Sequence, residues 1–312
     1  MSSEGGMSTE VFRLRLPATS ANLGPGFDAS AVAMDFYLEI EATPAAEFSI
    51  DASGRNADRC GDLEDNLILQ SYRMLLEREG KPVLPLSIRM RNGIPLGMGC
   101  GSSAASRLAA IALADHYGNL GWSEEQVLEE AAALEGHPDN AAACWLGGFV
   151  TAACVGRKVH VARVPAPAAW RAIVVLPSVP LATSKARAVL PDCYCRADVV
   201  SNIQSAGLLG LAFAMGRGDL LKLGMRDRVH QPYRESICPQ LPRLLPLAGT
   251  SGILGSALSG AGPAVLVIVE GEWRVGEATL AIRKALEGLP EPELVVAKFE
   301  RNGAVYRPER GW

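Results

Sequence analysis

No apolar stretch in this chain of 312 residues reaches the ~18–20 residues that a membrane-spanning helix requires. The first ten residues, MSSEGGMSTE, are polar and acidic and lack an apolar signal-peptide core. A cytoplasmic location is therefore the expectation. There is no basic excess either. Lysine and arginine total 30 against 34 aspartates and glutamates, the net charge is −4 and the pI about 5.7. Neither a nucleic-acid partner nor a membrane surface is expected, because both reward clustered positive charge. The seven cysteines are an odd number, which excludes a complete set of intramolecular disulfides. Cys60, Cys100, Cys144, Cys154 and Cys238 are scattered, several of them among small apolar residues. Cys193 and Cys195 form a C-x-C pair, but no second ligand cluster stands at metal-site spacing. Reduced thiols are expected. Fixed-period repeats and low-complexity segments are also missing.

What is present is a globular composition, 48% hydrophobic and 21% charged, long enough for one large or two ordinary domains. VFRLRL (11–16) alternates apolar and charged residues and predicts a half-exposed strand, which PATSANLGPGFD then interrupts with Pro, Asn and Gly. AVAMDFYLEIEAT returns to strand. DLEDNLILQSYRMLLEREG has apolar residues at helical spacing and closes at Gly80. PLSIRMRNGIPL is a further strand. SSAASRLAAIALADHYG predicts a helix, since alanine loses least on entering one and no Gly or Pro interrupts it before its end. SEEQVLEEAAALEG predicts another, with Ser123 as N-cap and Gln126 as its capping-box partner. HPDNAAACWLGGFVTAACV reads as loop, short buried helix and strand.

VPAPAAW (164–170) is the candidate linker. Beyond it come a strand in RAIVVLP and helices in SKARAVLP and SNIQSAGLLGLAFAMGRG. PQLPRLLPLAG contains a short helix started by proline. ILGSALSGAGPAVLVIVEG is strand, glycine loop and strand, EATLAIRKALEG is a helix, and ELVVAKFERNGAVYR forms the tail. Helices and strands alternate through both halves, which predicts an α+β or α/β fold in two domains joined near residue 165.

Four segments carry candidate chemistry. In PLGMGCGSSA (95–104), glycines at 97, 99 and 101 permit positive φ and close approach of a ligand. The helix that follows offers unpaired N–H groups and a positive dipole end, and Ser102 and Ser103 add hydroxyls. This is a phosphate cradle in physical terms. It is not a Walker loop, since no Lys-Ser or Lys-Thr closes it, and its spacing is not the dinucleotide fingerprint. The same glycines could equally serve a tight turn that lets the helix pack closely. PATSANLGPGFD places Asn22 and Asp28 in a rigid, glycine-bound segment, able to bond an amine or hydroxyl or simply to form an Asx turn. EGHPDN (135–140) gathers Glu, His, Asp and Asn at a helix end. A carboxylate there suits Mg²⁺, which prefers oxygen ligands, while Gly136 and Pro138 would also end a helix among solvated polar groups. LSGAGPAVLVIV (258–269) holds a glycine loop between strands, fitted either to close approach of a ligand or to a tight hairpin.

Together these segments resemble the GHMP kinases. PLGMGCGSSAA is similar to the ATP loop of that family, and PATSANLGPGFD, EGHPDNAAACWLGG, HQPYR and SGAGP are similar to its homoserine kinase branch, in the family's order and across nearly the whole chain. The resemblance implies a two-domain α+β GHMP kinase fold, with an N-terminal ATP-loop domain over 1–165 and a C-terminal ferredoxin-like domain over 166–312. It implies ATP and Mg²⁺ as cofactors, L-homoserine as the small-molecule substrate, phosphorylated on its side-chain hydroxyl in threonine biosynthesis, and a homodimer.

The resemblance also implies residue roles. Pro95, Leu96, Gly97, Met98, Gly99, Cys100, Gly101, Ser102, Ser103, Ala104 and Ala105 would wrap the triphosphate, and Asn66 would lie near the adenine. Ser103 and Glu135 would hold the metal. Asn22, Asp28 and His137 would contact homoserine. Arg187 and Arg234 would bind its carboxylate, a match for the guanidinium fork, with Thr183 at the same end; either arginine, taken without the resemblance, reads as a solvated surface charge. Gly260 and Gly262 would let the second-domain loop close over the substrate. Asn140 occupies the position where some relatives carry an aspartate base. An amide cannot take a proton, so catalysis would rest on positioning and electrostatics, with Asp139 and His137 the nearby candidates for a base.

This sequence departs from the family pattern at Cys100, where leucine is common, at AAACW (141–145) and at MDFY (34–37). These changes touch packing and leave the substrate preference open. A GHMP kinase for another small alcohol, a non-catalytic ligand-binding protein and a nucleotide-binding interaction module are the alternatives. The arginine pair argues against the first; Ser103, Glu135 and the intact loop argue against the second. Thermal shift with ATP·Mg²⁺ and then homoserine would separate the third.

Overall fold

The computed structural model of the protein describes residues 11–306. The first part of the chain runs β1 (Phe12–Asn22), β2 (Gly26–Pro44), β3 (Ser49–Gly54), α1 (Ala57–Cys60), α2 (Leu67–Arg78), β4 (Leu86–Asn92), α3 (Ser102–Gly118), α4 (Glu124–Glu135), α5 (Asp139–Leu146), β5 (Phe149–Val155) and β6 (Lys158–Val164). The second part runs β7 (Arg171–Leu176), α6 (Thr183–Ala188), α7 (Arg196–Met215), α8 (Leu221–Gly224), α9 (Gln231–Arg234), α10 (Leu241–Leu244), β8 (Ile253–Leu258), β9 (Val265–Val269), α11 (Val275–Ala285), β10 (Glu293–Ala297) and β11 (Val305–Tyr306).

Two sheets result. The first has the order β11-β1-β2-β4-β3, with β5 and β6 continuing from β2. The second is antiparallel, in the order β10-β7-β9-β8. With α6 to α10 between β7 and β8 and α11 between β9 and β10, it has the βαββαβ connectivity of a ferredoxin-like unit. Both faces of this second sheet are covered. Ala172, Val174, Leu266 and Ile268 join the main core with Leu209 and Phe213 of α7. Ile173, Val175, Val265 and Val267 pack with Leu241, Leu244, Ala278 and Ile282. A strand covered on both faces needs a continuous apolar run, which VLVIV supplies.

The alanine-rich helix lies where its composition places it. Ala104, Ala105, Ala109, Ala110 and Ala114 of α3 are fully buried, and their small side chains let α3 sit against β1, α2, α4 and α5. Ser123 and Gln126 form the expected capping box at the start of α4.

Two expectations need correction. The break at PATSANLGPGFD is not where the strand ends, because β1 continues through Pro17 to Asn22. The pairing shifts register between Pro17 and Ala18, and a bulge is where a strand tolerates proline. The helix expected from residue 62 starts at Leu67, where Asn66 caps it by accepting from the N–H groups of Ile68 and Leu69. Among the described residues, no helix is long and apolar enough to cross a membrane.

The capping box gives a direct check on this part of the fold. Ser123→Ala should cost about 1 kcal/mol and lower the melting temperature by about 2–4 °C. An unchanged thermal transition would show that the box does not hold α4.

Candidate active site

The loop before α3 has a conformation only glycine supports. Gly97, Gly99 and Gly101 have φ of 68°, 79° and 75°. A Cβ on Gly99 would lie 2.1 Å from the Ser259 carbonyl oxygen, and one on Gly101 would lie 1.9 Å from Thr19 Oγ1. The loop therefore packs closely as well as turning, as the tight-turn reading of these glycines expects.

Its carbonyls are bound from outside the loop. Leu181 N donates to Gly97 O at 3.1 Å, Ala264 N to Met98 O at 3.2 Å and Thr19 N to Cys100 O at 3.1 Å. Buried Ser259 donates through Oγ to Gly99 O at 2.6 Å. The N–H groups of residues 97–101, by contrast, have no acceptor among the described residues. With the carbonyls held away, these amides and the first turn of α3 form an anion cradle.

The cradle opens on a cavity of about 340 Å³ lined by Gly97, Gly99, Gly101 and Ser102 to Ala104 on one side. Asp28, Glu135, His137, Asp139, Asn140, Thr183, Arg187, Arg234 and Gly260 line the rest of it. A neighbouring cavity of about 350 Å³ shares Gly97, Ser102 and Ser103, and is further lined by Leu96, Asn66, Met90 and Ile94. Pro95, Met98, Cys100 and Ala105 line neither, because alternate residues of the loop turn inward. Cys100 and Ala105 are core residues, and burial pushes the Cys100 thiol up to about 12, so it stays neutral.

The carboxylates are individually held. Ser103 Oγ donates to Glu135 Oε1 at 2.6 Å. Arg107 Nε lies 2.7 Å from the same oxygen, an ion pair whose N–H is not aligned for a hydrogen bond. Asp139, 1% exposed, bonds His137 Nδ1 at 2.5 Å and accepts from the Asn140 amide N–H at 2.6 Å, all through Oδ1. Its Oδ2 is buried with no hydrogen-bond partner among the described residues. Burial opposes charge on His137, but the Asp139 hydrogen bond and the charges of Asp139, Asp28 and Glu135 outweigh it, and the imidazole pKa is raised. Thr19 Oγ1 donates to Asn140 Oδ1 at 2.6 Å, which fixes the orientation of that amide.

Elsewhere in the lining, Arg187 grips Asp28 through both guanidinium nitrogens, at 3.0 and 2.7 Å. Arg234 is 1% exposed and donates to Ala186 O, Gly260 O and His230 Nδ1. His230 also bonds Gly24 O through Nε2 at 2.8 Å, and burial lowers its pKa, so it is the neutral tautomer with Nδ1 as acceptor. The Phe27 ring lies 5.5 Å from both guanidinium carbons. Burial, and after it the charge of Arg187, disfavour the cationic form of Arg234. An anion between the two arginines would relieve that repulsion.

Two candidates have structural duties. Asn22 Nδ2 donates to Gly260 O at 2.8 Å and its Oδ1 accepts from Asp28 N, so it ties the two glycine-bearing loops together. Asn66 caps α2 and donates to Cys60 O. Thr19, Phe27, Arg107 and His230 are site residues the sequence reading missed. Only Arg107 had a visible signal, one helical turn after Ser103 on the same face.

Models of known families match this chain as the GHMP kinases N terminal domain over residues 66–148 and the GHMP kinases C terminal domain over 211–288. The homoserine kinase of Solibacter usitatus is 44% identical over 264 residues, 84% of this chain and 86% of that one. The chain belongs to the homoserine kinase family of GHMP kinases. The homoserine kinase of Deinococcus radiodurans is 40% identical over 255 residues, covering 82% of this chain and 83% of its own. Among solved structures, the homoserine kinase of Cytophaga hutchinsonii superposes with a TM-score of 0.81 over 98% of this chain and all of that one, at 24% identity, a likeness of fold. A putative homoserine kinase from Listeria monocytogenes gives 0.77 at 28% identity, over 96% of this chain and all of that one.

The raised His137 pKa has a defined sign in this homoserine kinase family member. Its ionic contribution to stability is fully present below the unfolded value of about 6.5 and is lost as pH rises through the higher folded value. NMR titration of the ligand-free protein should show the His137 ring titrating above 6.5, and Asp139→Asn should bring it down. A ring unmoved by that substitution would contradict the pairing.

Proposed function

We infer that the protein transfers the γ-phosphoryl group of ATP to the side-chain hydroxyl of L-homoserine, giving O-phospho-L-homoserine and ADP in threonine biosynthesis. The observation that carries this reading is the single cavity that joins an anion cradle to a pair of crowded guanidiniums. One end takes phosphates; the other takes an amino-acid carboxylate.

In this reading, residues 97–104 cradle the phosphates through backbone N–H groups and the α3 N-terminus. The neighbouring cavity beside Asn66 receives the adenine. Arg187 and Arg234 bind the homoserine carboxylate, the former released from Asp28, which then faces the substrate ammonium with His137. Thr183 closes that end, and Asn22 and Gly260 hold the loops that shape it. Ser103 and Glu135 provide hydroxyl and carboxylate oxygens, the hard donor set that Mg²⁺ prefers, and would hold it there. The metal would supply charge neutralisation of the phosphates when bound.

The acceptor hydroxyl is oriented rather than deprotonated in advance. Asn140 is held by Thr19 and cannot act as a base. Phosphoryl transfer has a loose transition state with little bond-making at attack, so positioning and electrostatics suffice, and the proton leaves late to the phosphoryl oxygens. The partnerless Asp139 Oδ2 would be satisfied by the substrate's ammonium or hydroxyl. A cytoplasmic homodimer completes the proposal.

An ADP-release assay with Mg²⁺·ATP tests this, comparing L-homoserine with L-threonine, L-serine, mevalonate and galactose. Strong preference for L-homoserine is expected, and turnover with another alcohol alone would overturn the substrate assignment. Glu135→Ala should abolish turnover, while Asn140→Ala should leave it well above background. An equal loss in both would refute orientation without a base.

A further inference from the structure

Among the described residues, three arginines and no lysine line the cavity. Arg187 and Arg234 are engaged with Asp28, His230 and backbone carbonyls. Arg107 is the third, and no step above uses it. It is the only lysine or arginine of α3, the helix whose N-terminus completes the anion cradle.

The Arg107 guanidinium lies at the level of Ser103, one turn nearer that N-terminus. The same Glu135 Oε1 accepts from Ser103 Oγ at 2.6 Å and sits 2.7 Å from Arg107 Nε. Long helical side chains lean back over the preceding turn, which brings this head about 6 Å toward the helix start. The helix dipole opposes a cation there. Glu135 offsets the charge but does not satisfy the group. Nε is buried without a hydrogen bond, and the side chain, 25% exposed, donates to nothing among the described residues. A guanidinium with five donors and no hydrogen bond, set beside the free amides of the glycine loop, suits an anion with several oxygens.

The two cavities indicate which part of the nucleotide that is. Both include Gly97, Ser102 and Ser103, but Arg107 lines only the one that also holds Arg187 and Arg234; the one beside Asn66 is lined by Ser106 instead. With the adenine beside Asn66, the phosphates run past the shared serines and only the last reaches Arg107. We propose that Arg107 binds the terminal phosphoryl group of ATP, the one that is transferred, and that Glu135 holds its guanidinium in place until the nucleotide arrives. The charge spread over the outer oxygens of that group in the transition state is then met by a cation already in position. ADP ends one group earlier and does not reach it. The proposal rests on the nucleotide reading above and is independent of which alcohol is the acceptor.

Isothermal titration calorimetry on the full chain in EDTA, with neither metal nor homoserine present, tests it through binding rather than turnover. Arg107→Gln should weaken ATP binding about tenfold or more and leave ADP binding unchanged. Arg107→Lys keeps the charge without the fork and should fall between wild type and Arg107→Gln. The same loss of ATP affinity should recur when Arg107→Gln is made in a Glu135→Gln background. Equal losses for ATP and ADP would overturn the proposal. So would an effect that disappears with Glu135, since Arg107 would then act only through that carboxylate. A wild type that binds neither nucleotide would instead overturn the reading of the cradle itself, and this proposal with it.

Discussion

The carbonyl oxygens of residues 97–100 are each bound from behind, and the cavity depends on it. A peptide free to rotate there would turn an oxygen toward the phosphates and repel them. The four donors come from β1, from the segment after β7 and from the loop between β8 and β9. The anion cradle is therefore not a property of the glycine loop alone. It exists only when both sheets are folded and docked. Ser259 illustrates the economy of the arrangement, since its hydroxyl reaches Gly99 O while lying 2.9 Å from Ser20 Oγ of β1. One buried side chain thus joins three segments that are far apart in sequence.

The arginine pair in the cavity follows a different logic. Two guanidiniums stand near one another over a shared aromatic ring, one of them almost fully buried. Arg234 is held by a neutral histidine and two backbone carbonyls, none of which cancels its charge. Arg187 is neutralised by Asp28 but remains substantially exposed. In the proposed function, a carboxylate arriving between them would meet one cation already fixed in place and a second that must exchange partners, a combination suited to a ligand that carries both an acid and an amine.

Much of this was legible in the chain, and the limits have physical causes. The glycine loop, the alanine-rich helix and the capping box of α4 are local patterns, and each occupies the place its pattern predicts. The strand through PATSAN was hidden because a bulge makes proline acceptable inside β1, which no local rule reveals. Asn66 both lines the neighbouring cavity and caps α2, and the cap is invisible in the sequence until the helix start at Leu67 is known. Thr19 orients Asn140 across 121 residues of sequence, and Arg234 finds Ala186 across 48. Such contacts have no period and no motif. They follow from topology, and topology is what a single sequence reveals least.

The tail of the chain adds a mechanical constraint. After β10 the backbone leaves the second sheet and is stitched to the first. Asp35 N donates to Lys298 O, Gly148 N and Glu300 O bond at 2.7 Å, and β11 pairs with the edge of β1. The polypeptide thus crosses between the sheets at two separate places, once through the segment after β6 and once after β10. Two crossings tie the second sheet to the first, and the same docking supplies the donors from Leu181, Ser259 and Ala264 that hold the glycine loop, so the tail and the anion cradle depend on one and the same contact between the sheets.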